Sequence, residues 1–88
     1  NAERLAGLQT ILPALRAEDV SSLVEWIDLR DPANPSLRYD GRLTVYLGAE
    51  GEMLYRIAML KNVVSQLAAE DAGTLYSTNG SAWTFSPD

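Results

Sequence analysis

Leu37-Arg38-Tyr39-Asp40-Gly41-Arg42-Leu43-Thr44-Val45-Tyr46-Leu47-Gly48 alternates apolar and polar residues on either side of an Asp-Gly pair. A period of two sends every second side chain to one face of a strand, and Asp-Gly is a strong local signal for a hairpin turn. A two-residue loop would set Leu37 opposite Thr44 and mix apolar with polar on each face. A three-residue loop of Tyr39, Asp40 and Gly41 instead pairs Leu37 with Leu43, and Gly41 takes the positive φ that a bulged turn requires. A slip of one residue turns every side chain over, so the burial pattern selects the three-residue loop. Leu37, Leu43, Val45 and Leu47 then form the inner face, while Arg38, Arg42, Thr44 and Tyr46 point outward.

Upstream, residues 22–30 read as a strand, with Leu23, Ile27 and Leu29 on one face and Val24 and Trp26 on the other. Both faces carry apolar side chains. Either this strand is central, or Trp26 packs against something outside the chain. Asp31-Pro32-Ala33-Asn34-Pro35 is loop chemistry, because Pro and Asn disfavour ladders and helices alike. Residues 3–17 read as a helix whose stripe is Leu5, Leu8, Leu12 and Leu15. Pro13 removes a donor and clashes with the Gln9 carbonyl, so a kink or break is expected near Leu12.

Downstream, Gly48 to Gly51 reads as a turn and residues 52–69 as a second helix. Its apolar stripe is Met53, Leu54, Ile57, Leu60, Val64, Leu67 and Ala68, with Arg56 placed elsewhere. Burying each large aliphatic is worth about 1.5–3 kcal/mol, which anchors the helix to the sheet. A second hairpin turns at Thr78-Asn79-Gly80, pairing Leu75 with Trp83 and setting Tyr76 opposite Ala82. Phe85 shares the face of Leu75, and Pro87 ends the strand because it cannot donate to a ladder. The expected fold is α+β in the order α-β-β-β-α-β-β. Its sheet is mostly antiparallel, with the helices packed on one face, and residues 1–88 make a single domain.

The 88 residues are 47% hydrophobic and 22% charged, a globular composition. A chain of this size buries roughly 60–65% of its unfolded surface. The net charge of −5 argues against nucleic acid as a partner, since phosphate binding needs clustered Lys and Arg. No apolar run approaches the roughly 18–20 residues of a membrane span. Asn1-Ala2 can be read as the scar of a cleaved tag, and on that reading the chain is expected to be an excised domain.

Catalytic chemistry finds little to work with. The sequence has no His and no Cys, so the commonest general base and metal ligand are missing, as are thiolate and disulfide chemistry. Gly48-Ala49-Glu50-Gly51 lacks the spacing and the Lys of a phosphate loop. Glu25, Asp28 and Asp31, with Asp40 nearby, are the densest acids. Alternation puts Glu25 and Asp28 on opposite faces of one strand, which reads as a solvated rim. No Ser sits in a nucleophile-elbow setting. Neither an enzyme nor a cofactor or metal site is expected.

Ile27-Asp28-Leu29-Arg30-Asp31-Pro32-Ala33-Asn34, the Leu37 to Gly48 hairpin and Met53-Leu54-Tyr55-Arg56-Ile57-Ala58-Met59-Leu60 follow one another in a distinctive order. They are followed by Gly73-Thr74-Leu75-Tyr76-Ser77 and Trp83-Thr84-Phe85-Ser86-Pro87. Over residues 20–88 this arrangement resembles the C-terminal part of the extracytoplasmic β domain of the bacterial cell-division proteins FtsQ and DivIB. Two departures stand out. Pro35 occupies a position where the family has an apolar strand residue, and Tyr76 replaces a common Asp. The family's membrane anchor, polypeptide-transport-associated domain and first half of the β domain have no counterpart in the 88 residues.

The resemblance implies a non-catalytic role in the divisome. Such proteins cross the cell membrane once and act on its extracytoplasmic side at the septum, where they bind FtsL and FtsB (DivIC in Gram-positive bacteria). The chain would then meet the membrane only through a missing N-terminal anchor. The family's partner adds a strand near the C-terminal strand, a form of β-augmentation. Carried onto this sequence, the edge comprises Ser81, Ala82, Trp83, Thr84 and Phe85, with Tyr76 and Trp83 as aromatic anchors. Trp83 also reads as a core residue, and Phe85 reads so more strongly. Proline at Thr84 is expected to abolish docking. The alternatives are a binding module of an unrelated envelope or secreted protein and a small-ligand sensor or enzyme domain.

Overall fold

The computed structural model of the chain describes residues 2–49, 52–77 and 82–88. The elements are α1 (Ala2–Ala17), β1 (Val24–Asp28), β2 (Ser36–Tyr39), β3 (Leu43–Tyr46), α2 (Met53–Ser65), β4 (Gly73–Ser77) and β5 (Trp83–Pro87). A 3-10 turn at Ser21–Leu23 leads into β1. The five strands form one sheet in the order β1-β2-β3-β4-β5. All neighbours are antiparallel except β3 and β4, which run parallel. Parallel neighbours need a long crossover, and α2 supplies it. The α+β fold is as expected, with both helices packed against one face of the sheet.

The register explains why one face is buried. Ile27, Leu37, Val45, Leu75 and Phe85 lie side by side across all five strands, an unbroken apolar row. Tyr39 and Leu43 begin the next row, and α1 covers the face with Ile11, Ala14 and Leu15. Met53, Ile57 and Leu60 of α2 complete the core. The opposite face carries Trp26, Arg38, Thr44, Thr74 and Ser86 in one row and Asp28, Ser36, Tyr46, Tyr76 and Thr84 in the other.

Both hairpins depart from the expected register by two residues. Tyr39 pairs with Leu43 and Leu37 with Val45, not Leu37 with Leu43. Asp40 (φ 57) and Gly41 (φ 70) are both left-handed, and the Arg42 N–H donates to the Tyr39 carbonyl at 3.3 Å. Two positive φ values are the signature of a type I′ turn. Arg42 is then the extra residue that keeps the apolar faces in phase. In the second hairpin Leu75 pairs with Phe85 and Tyr76 with Thr84, rather than Leu75 with Trp83 and Tyr76 with Ala82. That shift places Phe85 in the apolar row. The expected loop Thr78-Asn79-Gly80 lies outside the described residues, as do Glu50 and Gly51 of the expected turn.

The helices are shorter or rotated relative to their sequence reading. In α1 the buried face is Ile11, Ala14 and Leu15, while Leu5 and Leu12 are exposed. Helix α1 nevertheless continues through the proline, and Pro13 and Gln9 both lie on its exposed side. Its end is a Schellman motif. The Val20 N–H donates to Leu15 C=O and the Asp19 N–H to Arg16 C=O, with Asp19 left-handed at φ 59. Helix α2 stops at Ser65, short of residue 69, and Leu54 is exposed. Arg56, placed outside the stripe by sequence, is 6% exposed. It donates from Nη1 to the Leu47 and Gly48 carbonyls at the end of β3. Strand β1 is an edge strand, not a central one. Its register shifts between Val24 and Trp26, so Val24 joins Ile27 against the core while Trp26 faces outward, 44% exposed.

Candidate partner-binding edge

An open sheet has two edges, and here they are β1 and β5. Which backbone groups of β5 face outward follows from its ladder. The Asp88 N–H donates to Ala72 C=O at 3.0 Å, which makes that pair a hydrogen-bonded one. In an antiparallel ladder such pairs alternate. Ser86 and Thr84 therefore bond inward to Thr74 and Tyr76, and Trp83, Phe85 and Pro87 turn their main-chain polar groups away from the sheet. Pro87 falls on an outward position, where its missing N–H costs no ladder bond. The free edge thus presents two N–H groups, at Trp83 and Phe85, and the carbonyls of Trp83, Phe85 and Pro87. Proline at Thr84 would remove an inward ladder bond to β4 and leave the docking groups in place, so it does not probe this edge.

Side chains divide between the two faces. Trp83 and Phe85 lie on the helix side, half-buried against the core. The Trp83 indole Nε1 is buried without a hydrogen-bond partner, and so is the Oγ of its cross-strand neighbour Ser77. Tyr76 and Thr84 sit opposite each other on the open face. Tyr76 is 42% exposed, and its ring stacks on that of Tyr46 with centroids 5.4 Å apart and planes at 8°. Tyr76 and Trp83 consequently occupy opposite faces of the sheet. Ala82 is exposed just before β5, and Ser81 lies outside the described residues.

The two edges differ in chemistry. Strand β5 pairs with β4 in an unbroken register over five residues and has no charged side chain. Strand β1 carries a bulge at Glu25, and its last residue, Asp28, is ion-paired with Arg30 at 2.7 Å. Bulges and charges are the devices that blunt an edge against further pairing. Arg30 also fixes Asp28 electrostatically: its guanidinium and backbone N–H hold the carboxyl at about 2.

The acids sought as a cluster do not meet at a common point. Asp28 pairs with Arg30, the Asp31 carboxylate accepts from the Ala33 N–H at 3.1 Å, and Asp40 pairs with Arg42 at 3.0 Å. Among the described residues no group of three or more His, Cys, Asp or Glu could hold a metal ion. Nor is any helix there long and apolar enough to cross a membrane. Surface cavities of about 500 and 450 Å³ lie elsewhere, one along β1 beside Arg4 and Trp26, the other beside Arg56, Pro35 and Gly48.

No family model, curated protein or solved structure matches this chain. The function therefore has to be argued from the edge itself and from the motif order described above.

Proposed function

We propose that the chain is a non-catalytic interaction module that takes an extended partner segment onto the free edge of β5. The observation that carries this reading is the contrast between the edges. One is bulged and charged; the other is regular and uncharged, with its outward groups at Trp83 and Phe85. Main-chain bonds would supply affinity, and side chains lying along Trp83 and Phe85 would supply selectivity. An added strand would also extend the apolar row that ends at Phe85.

The resemblance to FtsQ and DivIB supports a specific setting. In it, FtsL-like and FtsB/DivIC-like proteins are the partners. The module works on the extracytoplasmic side of the cell membrane at the division septum, tethered by a single-pass anchor. The unrelated envelope module uses the same edge with different partners, so partner identity separates the two readings.

The test is chemical and local. Ligation at Ala82 through a cysteine that is then desulfurised allows β5 to be made with an ester in place of one amide. An ester at Phe85 removes an outward donor and keeps the side chain. It is expected to weaken binding of the FtsB-like segment by about tenfold, the scale of one lost hydrogen bond. Unchanged affinity in that folded variant sinks the proposal.

A further inference from the structure

We infer that the cavity beside Arg56 binds a small organic acid, a carboxylate with a short apolar body, and that the Arg56 guanidinium holds its head group. No residue of β5 lines this cavity, so the site stands apart from the strand-addition reading.

The cavity has a volume of about 450 Å³ and lies where α1, the loop before β2 and the end of β3 meet α2. Two hydrogen bonds tie that loop to the end of β3: the Leu47 N–H donates to Pro35 C=O at 2.9 Å and the Gly48 N–H to Asn34 Oδ1 at 3.0 Å. Gly7, Ile11, Pro32, Pro35, Ala49 and Met53 make the lining largely apolar. Thr10 adds a hydroxyl, but its hydrogen is already given to the Ala6 carbonyl at 2.9 Å. Among the described residues that line the cavity, Arg56 alone is charged.

Arg56 is short of negative charge. It is buried, its Nη1 donates to the Leu47 and Gly48 carbonyls, and its Nε is buried with no hydrogen-bond partner. Among the described residues the ion pairs fall to Arg30, Arg42 and Lys61. Burial alone lowers the Arg56 pKa, with no carboxylate to raise it again. A buried cation that meets only carbonyl dipoles is under-compensated, and a counter-ion relieves it. The unused Nε–H and the adjoining Nη2 form the fork that takes both oxygens of a carboxylate. Met53, one turn before Arg56, lines the same cavity, and its unbranched side chain can yield to a ligand. Met53 also begins α2, where no side chain caps the first turn, so the helix dipole favours an anion at that end. A second cavity of about 460 Å³ reaches Arg56 as well, but Glu52 lines it and repels a carboxylate. One guanidinium and apolar walls suit a monoanion with a hydrocarbon body, whereas a phosphate dianion calls for more donors.

Titration of the whole chain with butyrate, followed by NMR, tests this. The Arg56 Nε–H resonance should move together with the Met53 and Ala49 amides, while the Nε–H of the exposed Arg30 stays in place. Butyramide, the neutral isostere, should bind about tenfold more weakly, the scale separating a charge-assisted hydrogen bond from a neutral one. Acetate, two methylenes shorter, should also bind roughly tenfold more weakly than butyrate. Ala33→Leu enlarges an exposed side chain that lines the cavity, leaves Arg56 and the core as they are, and should weaken butyrate binding about fivefold. Equal binding of butyrate and butyramide overturns the inference. So does an Arg56 resonance that stays fixed under butyrate, or butyrate binding unaltered in Ala33→Leu.

Discussion

Arg56 and Asp28 show how single residues settle matters that patterning leaves open. Arg56 shares the buried side of α2 with Met53, Ile57 and Leu60, and burial lowers its pKa from the ordinary guanidinium value. Sequence logic sends such a charge to solvent, because an unpaired buried cation is costly. What it cannot see is that the Leu47 and Gly48 carbonyls, where Gly48 turns at φ 70, stand ready to accept from Nη1. Asp28 yields a pH prediction. Its hydrogen bonds from Arg30 depress the carboxyl from 3.8 to about 2 in the folded chain. A depressed carboxylate stabilises the fold above its ordinary pKa, and that contribution is lost as pH falls through the folded value. Asp28→Asn should therefore flatten the loss of stability between about pH 4 and about pH 2, read from urea midpoints across that range. Parallel curves for the two proteins would refute it.

At the scale of elements, the faces of the strands were legible in the sequence and their registers were not. Alternation assigns Leu37, Leu43, Val45 and Leu47 to the core correctly. A slip of two residues preserves every face, however, so alternation cannot separate Leu37–Leu43 from Leu37–Val45 pairing. The choice falls to longer-range packing, the row from Ile27 to Phe85. Strand β1 was misread for a related reason. The shift beside Glu25 breaks the period and turns Val24 inward, which no alternation rule anticipates. Gly73 has a comparable hidden role. Its φ is 157, and a Cβ there would lie 2.2 Å from the Ser86 carbonyl oxygen. Gly73→Ala must push β5 off β4, and should cost about 3 kcal/mol in chemical denaturation while weakening partner binding. A variant of full stability would show that β5 is not held in this close approach.

For the molecule as a whole, the fold class followed from patterning, but the candidate site followed only in outline. It was the resemblance to FtsQ and DivIB that pointed to the strand around Trp83, with Tyr76 and Trp83 as its aromatic anchors. In the fold, Tyr76 and Trp83 lie on opposite faces, and the half-buried Trp83 and Phe85 belong partly to the core. The distinguishing feature of β5 is its backbone: an unbroken, uncharged edge whose counterpart on β1 is blunted by a bulge and an ion pair. Neither the sheet order nor the outward turn of particular amides can be read before the strands are placed. Hydrogen exchange, residue by residue, with an FtsB-like extracytoplasmic segment added to the chain, tests this most directly. The Trp83 and Phe85 amides, open to solvent when free, should become protected, while Thr84 and Ser86, already bonded to β4, change little. Protection along β1 or the open face instead, with Trp83 and Phe85 exchanging as before, would contradict it.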